Sequence, residues 1–196
     1  MLSEKEKEEL LKLARRTLEV YLKDKEIPTF DLLSGELTKP GGAFVTLHHE
    51  NTLARVTRSG VAASSGTLRG CIGQFEAPDP LHKTVQKMAI AAATEDPRFY
   101  PVHLSELPEI QIEISVLSSL EIVQRLTDIK VGVHGVCVSE EYHRGVLLPQ
   151  VATEHRWNRE TFLSQTCLKA GLPPDAWEKG SVLIQMFTAE VFREKI

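Results

Sequence analysis

Apolar residues first recur at helical spacing. Leu10, Ala14, Thr17, Leu18 and Tyr21 fall on one face of a segment that opens Ser3-Glu4-Lys5-Glu6, where the Ser3 hydroxyl and Glu6 carboxylate can satisfy orphan amides as a capping box. The pattern predicts an amphipathic helix over 3–23. After a polar stretch through Pro28, Gly35, Pro40 and Gly42, the run Ala43–Leu47 is apolar and β-branched and reads as a strand. Residues 50–67 are rich in Ser, Thr, Gly and Arg, with a short strand at Leu53–Thr57 and a glycine-bearing loop at Ser59–Gly66. Leu68–Phe75 is the next strand. Asp79-Pro80 predicts an N-cap followed by proline at the first helical position, and Leu81, Val85, Met88, Ala89 and Ala92 make the stripe of a helix ending near Asp96-Pro97. Glu109–Leu117 then alternates, with Ile110, Ile112, Ile114 and Val116 on one face and Gln111, Glu113 and Ser115 on the other.

The order then repeats. His134–Ser139 and Arg144–Leu148 read as strands around a polar turn, a helix runs from Asn158 as N-cap to Ala170, and Ser181–Phe192 is a further strand. Gly171, Leu172 and Pro173 supply a left-handed cap, its hydrophobic contact and a stop. Arg69-Gly70 and Arg144-Gly145 recur at corresponding strands. Short inter-strand connections favour hairpins over parallel crossovers. The prediction is α+β: mostly antiparallel sheet with packed helices, in two similar strand-strand-helix-strand halves at about 43–117 and 133–192.

Length fits one domain, since 196 residues compare with ~150 for a typical domain. A hydrophobic fraction of 42% supplies a core, and a net charge of −4 argues against nucleic acid held by counterion release. The charged opening MLSEKEKEEL is no signal peptide, and no apolar run approaches the ~18 residues of a membrane span, so the expectation is a cytoplasmic protein without a membrane partner. Three cysteines, Cys71, Cys137 and Cys167, 66 and 30 residues apart, form no disulfide framework and no close-paired zinc motif. The histidines lack metal spacing, and no nucleotide-cradling glycine motif occurs, so neither metal nor cofactor is expected.

Candidate chemistry concentrates on Leu68–Phe75. Strict alternation puts Arg69, Cys71 and Gly73 on one face and Leu68, Gly70 and Ile72 on the other. A cation two residues from a thiol stabilises thiolate, and the strand glycines Gly70 and Gly73 mark a bulge or close approach of a ligand or a backbone. One reading is a small pocket with Arg69, Gly70 and Gly73 binding and Cys71 reacting, aided by Glu113 and His134 as acid or base. The other is plain packing: Cys71 a small hydrophobe, Arg69 paired with an acid such as Glu113, and the glycines admitting a helix. Asp96 and Arg98 are read as satisfying backbone at a helix end, and Cys137 and Cys167 as core.

The stretches Gly42–Leu47, Leu68–Gly73 (LRGCIG), Asp96–Phe99, Glu113–Leu117, His134-Gly135 and Gly145–Ala152 together resemble the AMMECR domain family across nearly the whole chain. The resemblance implies an α+β fold with two similar halves and a functional site around Leu68–Gly73, without a defined reaction. It also implies a link to Memo-type and radical-SAM proteins, beside or fused to which family members are often encoded. Members usually pass from the Phe-Val-Thr-Leu strand to the Leu-Arg-Gly-Cys strand by a short turn, whereas residues 50–67 here are longer and could form a lid or a hairpin extension. Two functions stay open. One is an enzyme or small-molecule-binding domain centred on Cys71; the other is a module docking on a Memo-type or radical-SAM partner, with Arg69 as the interface anchor.

Overall fold

The computed structural model describes residues 2–30, 35–49 and 67–195. The segment 50–66, with its short strand, loop or lid, lies outside the described residues. The chain divides into two compact units, Met1–Val116 with Glu190–Ile196, and Leu117–Ala189.

The first unit opens with α1 (Glu4–Asp24), whose Ser3–Glu6 capping box is formed on both sides. Two antiparallel pairings place β1 (Ala43–His49) between β2 (Thr67–Gln74) and β3 (Ile110–Leu117). The helix α2 (Leu81–Thr94) follows β2 in the chain. Alternation along β1 sends Ala43, Val45 and Leu47 inward, where they join Leu10, Leu13, Leu18, Val85, Ile112 and Ile114 in one core. The N-cap of α2 differs from the sequence expectation. Pro80 occupies it with no side-chain cap, while the Asp79 carboxylate accepts from Lys87 Nζ at 2.6 Å, two turns along the helix. Proline fixes the entry angle without a capping oxygen, which frees Asp79 for a lysine.

The second unit contains β4 (Glu121–Ile122), β5 (His134–Glu140), β6 (His143–Leu147), α3 (Pro149–Glu154), α4 (Arg159–Lys169) and the body of β7 (Leu183–Arg193). β5 is central, antiparallel to β6 and to β7, and β4 pairs with β7. Val136, Val138, Phe162, Leu163 and Ile129 form its core. Asn158 caps α4 by accepting from Thr161 N–H. At the other end Gly171 takes φ 76°, and Leu172 N–H reaches Cys167 C=O at 2.9 Å while Gly171 N–H reaches Leu168 C=O at 3.0 Å, the paired closure expected of a glycine-capped helix. The short helix α3, with Pro149 in its first turn and Pro149 and Ala152 buried, and the two-residue β4 carry too little periodicity to be read from sequence.

The two halves correspond in register. Gly70 in β2 faces Leu47 of β1, and Gly145 in β6 faces Val138 of β5. A Cβ on Gly70 would lie 2.1 Å from the Ala92 carbonyl oxygen of α2, and one on Gly145 2.5 Å from the Thr166 carbonyl oxygen of α4. In both, the glycine is where a helix backbone meets the sheet.

Candidate functional site

Register places Cys71, Thr46 and Glu113 in one row across the three-stranded layer, since Thr46 faces Cys71 on β2 and Glu113 on β3. This outer face is opposite the core face that carries Val45 and Leu47. Thr46 Oγ1 donates to Cys71 Sγ at 3.3 Å. Cys71 is half-buried and free, whereas Cys137 and Cys167 are buried and free, and burial pushes the Cys167 thiol up. Glu113 is half-buried, and no hydrogen bond or ion pair among the described residues engages its carboxylate. His48, two residues from Thr46 on the same face, has a buried Nδ1 with no partner among the described residues.

Asp96 and Arg98 act on this strand rather than on the helix end alone. β2 pairs with β1, and Cys71 N–H finds its acceptor in Asp96 Oδ2 at 2.9 Å. Arg98 Nη2 donates to Cys71 C=O at 3.4 Å and to Asp96 Oδ2 at 2.7 Å, with Arg98 Nε on Oδ1 at 2.9 Å. The acid and the guanidinium thus serve the N–H and C=O of one residue, as a neighbouring strand would, and blunt the edge there. The Arg98 hydrogen bonds hold the Asp96 carboxyl far below the usual carboxylate range, outweighing its burial, with Cys71 N–H adding to the effect.

Arg69 goes elsewhere. The ladder slips between Leu47 and His48, so Arg69 is the extra residue of a bulge and leaves the strict alternation that grouped it with Cys71. Its guanidinium grips Glu106 through Nε at 3.0 Å and Nη2 at 3.1 Å, and Nη1 donates to Tyr100 C=O at 2.8 Å. The acid paired with Arg69 is therefore Glu106, not Glu113. Gly70 lies under Ala92 as described, and a Cβ on Gly73 would sit 2.1 Å from the ring of Phe44, its cross-strand partner. His134 belongs to the second unit, where its Nδ1 accepts from Lys130 N–H at 3.2 Å. Among the described residues no group of three or more His, Cys, Asp or Glu side chains is placed to hold a metal, and no helix is long and apolar enough to cross a membrane.

A family model described as AMMECR1 matches residues 11–192. The chain belongs to the AMMECR1 family. The uncharacterized protein PH0010 from Pyrococcus horikoshii, solved by crystallography, is 40% identical, covers 95% of this chain and 90% of its own, and superposes with a TM-score of 0.80. Its likeness bears out the α+β fold with antiparallel sheet. Protein PF1979 of Pyrococcus furiosus is 43% identical over 193 residues, 95% of this chain and 87% of that protein. Protein Mbar_A1807 of Methanosarcina barkeri is 39% identical over 204 residues, covering 100% and 93%. The AMMECR1 family model spans both units, and the LRGCIG run of this member is β2 itself.

Thr46, His48, Asp96 and Arg98 are the residues that sequence reasoning did not place at the site. Alternation along Ala43–Leu47 already points Thr46 away from the core. Asp96 and Arg98 required a different question: what satisfies the amides of an edge strand.

Proposed function

We propose that this AMMECR1-family chain binds a small molecule on the outer face of the β2-β1-β3 layer, with Cys71, Thr46 and Glu113 as contact groups and the Cys71 thiol as its nucleophile. The observation that carries the reading is the half-buried Glu113 carboxylate, which has no partner among the described residues, one row position from Thr46 and two from a free thiol. Folded chains pair their buried polar groups, and a cluster left unpaired on one face is a feature of ligand sites. His48 Nδ1 adds a second group on the same face without a partner among the described residues. Glu113 accepts hydrogen bonds when ionised, so the ligand class it favours carries N–H or O–H donors: an amine, amide or hydroxyl compound. The Asp96–Arg98 pair holds the Cys71 backbone, which fixes the thiol for contact with a bound molecule. The docking alternative, with a Memo-type or radical-SAM partner anchored on Arg69, draws less support, because that guanidinium is already engaged by Glu106 and Tyr100.

Iodoacetamide labelling resolved by peptide, repeated in the presence of a panel of small amines, amides and polyols, tests this. The expected result is that some compounds slow labelling of Cys71 at least fivefold in the wild type and lose that effect in Glu113→Gln. If none of the panel protects Cys71, or if protection is unchanged in Glu113→Gln, the reading fails.

A further inference from the structure

Apart from the row just described, whose residues do not line it, the first unit holds an open cavity of about 580 Å³ between α1, the start of β3 and residues 192–195. That volume lies within the range of small-molecule pockets, ~300–1,000 Å³. Its apolar lining comes from Leu11, Pro108 and Phe192, and its lining also carries Lys12, Arg193 and Lys195. Leu11 stands off the buried α1 stripe of Leu10, Leu13, Ala14, Thr17 and Leu18, so its half-buried side chain serves the cavity wall.

The lining holds five cations and three carboxylates, on a chain whose net charge is −4. Pairing sharpens the surplus. Arg15 is held by Glu194 and by the carbonyls of Leu107 and Ile110 at 2.8 and 2.6 Å. Lys7 is paired with Glu4 at 2.8 Å, and the charge of Lys195 also acts on Glu4. Lys12 and Arg193 have no ion-pair partner among the described residues, and Glu8 is the one carboxylate of the lining left unpaired there. The walls are preformed. Glu194 N–H pairs with Ile112 C=O at 3.0 Å, Glu194 Oε2 accepts from Ile112 N–H at 2.9 Å, and Gln111 Nε2 donates to Glu194 C=O at 2.9 Å. A rigid wall removes the ordering cost of binding.

We infer that this cavity is a second ligand site, for a small organic acid with an apolar body: the hydrocarbon against Leu11, Pro108 and Phe192, the anionic head against Lys12 and Arg193. The inference stands apart from the Cys71 reading and survives its failure.

Octanoate titrated into the full chain, followed by amide correlation spectra, tests it, with octylammonium as the cationic counterpart of equal length. Octanoate is expected to perturb amides of α1, of Ile110 and Gln111, and of 192–195, with a Kd on the order of 1 mM for a ligand of this size. Octylammonium is expected to bind at least tenfold more weakly, and Lys12→Glu with Arg193→Glu, both exposed positions, to weaken octanoate at least tenfold. Leu11→Trp, which fills the floor, is expected to abolish binding. Equal binding of octylammonium, wild-type affinity in the double variant, perturbations centred elsewhere, or none at tenfold the expected Kd would each overturn the inference.

Discussion

Replacing Asp96 with alanine is expected to lower stability by about 3 kcal/mol, the scale of losing hydrogen bonds to a charged group and leaving a buried amide unpaired. The side chain is only 2% exposed. It accepts from Cys71 N–H, from Arg98 N–H at 3.1 Å and from the Arg98 guanidinium, so alanine strands the β2 amide and releases the arginine together. The effect depends on pH with a definite sign. The folded carboxyl titrates below its unfolded value, chiefly through the Arg98 hydrogen bonds. Its contribution is therefore complete above about pH 4, near the unfolded value, and is lost as pH falls from there toward the folded value. Glu106 is lowered in the same direction, first by Arg69, and adds to the acid limb. Urea denaturation of wild type and Asp96→Ala from pH 7 down to pH 2.5 should show the two curves about 3 kcal/mol apart at neutrality and converging in acid. Parallel curves would remove the Asp96 clamp from the account.

Gly70→Ala is the other large effect. The added Cβ would meet the Ala92 carbonyl oxygen at 2.1 Å, and a backbone atom of α2 cannot swing aside as a side-chain tip can. Overpacking of this kind costs about 3 kcal/mol, at the upper end of the usual range, and the same change shifts the strand that carries Cys71. Gly145→Ala presses on the Thr166 carbonyl oxygen and Ala170 N at 2.5 Å and is expected to destabilise the second unit comparably. Gly73→Ala would bring Cβ to 2.1 Å from Cγ of the half-buried Phe44. Turning the ring leaves Cγ in place, so Phe44 must change rotamer. That is a side-chain and not a backbone shift, so the cost should be the smallest of the three. Thermal melts of the three variants check the order; a Gly73→Ala variant less stable than Gly70→Ala would contradict it.

Local signals carried much of this fold. Ser3 and Glu6 announce the start of α1, and Gly171 with Leu172 the end of α4, because capping chemistry involves residues within one turn. The alternation of Glu109–Leu117 placed Glu113 outward for the same reason. What the sequence hid was set by contacts between distant segments. The partner of Arg69 lies 37 residues away at Glu106, beyond a bulge that the neighbouring Gly70 allows for but does not place. Asp96 meets an amide 25 residues earlier, although the Asp-Pro-Arg-Phe stretch was among those that marked the family. Asp79 reads as a cap because Asp-Pro is a common helix entry, whereas its carboxylate holds a lysine two turns on. The register of the duplicated Arg-Gly pairs shows the reverse case, in which a weak sequence echo proves to mark the same helix-on-strand contact in both units.

A face around Cys71 that binds small molecules differs in its kinetics from one that merely exposes a thiol. Alkylation of Cys71 by a panel of chloroacetamide fragments, followed by intact mass spectrometry as a function of fragment concentration, separates the two. For some fragments the rate is expected to saturate, because they bind before they react, and Glu113→Gln is expected to raise the half-saturating concentration. Rates that stay linear in concentration for every fragment, with the rate constant of the urea-unfolded chain, would contradict binding at this face.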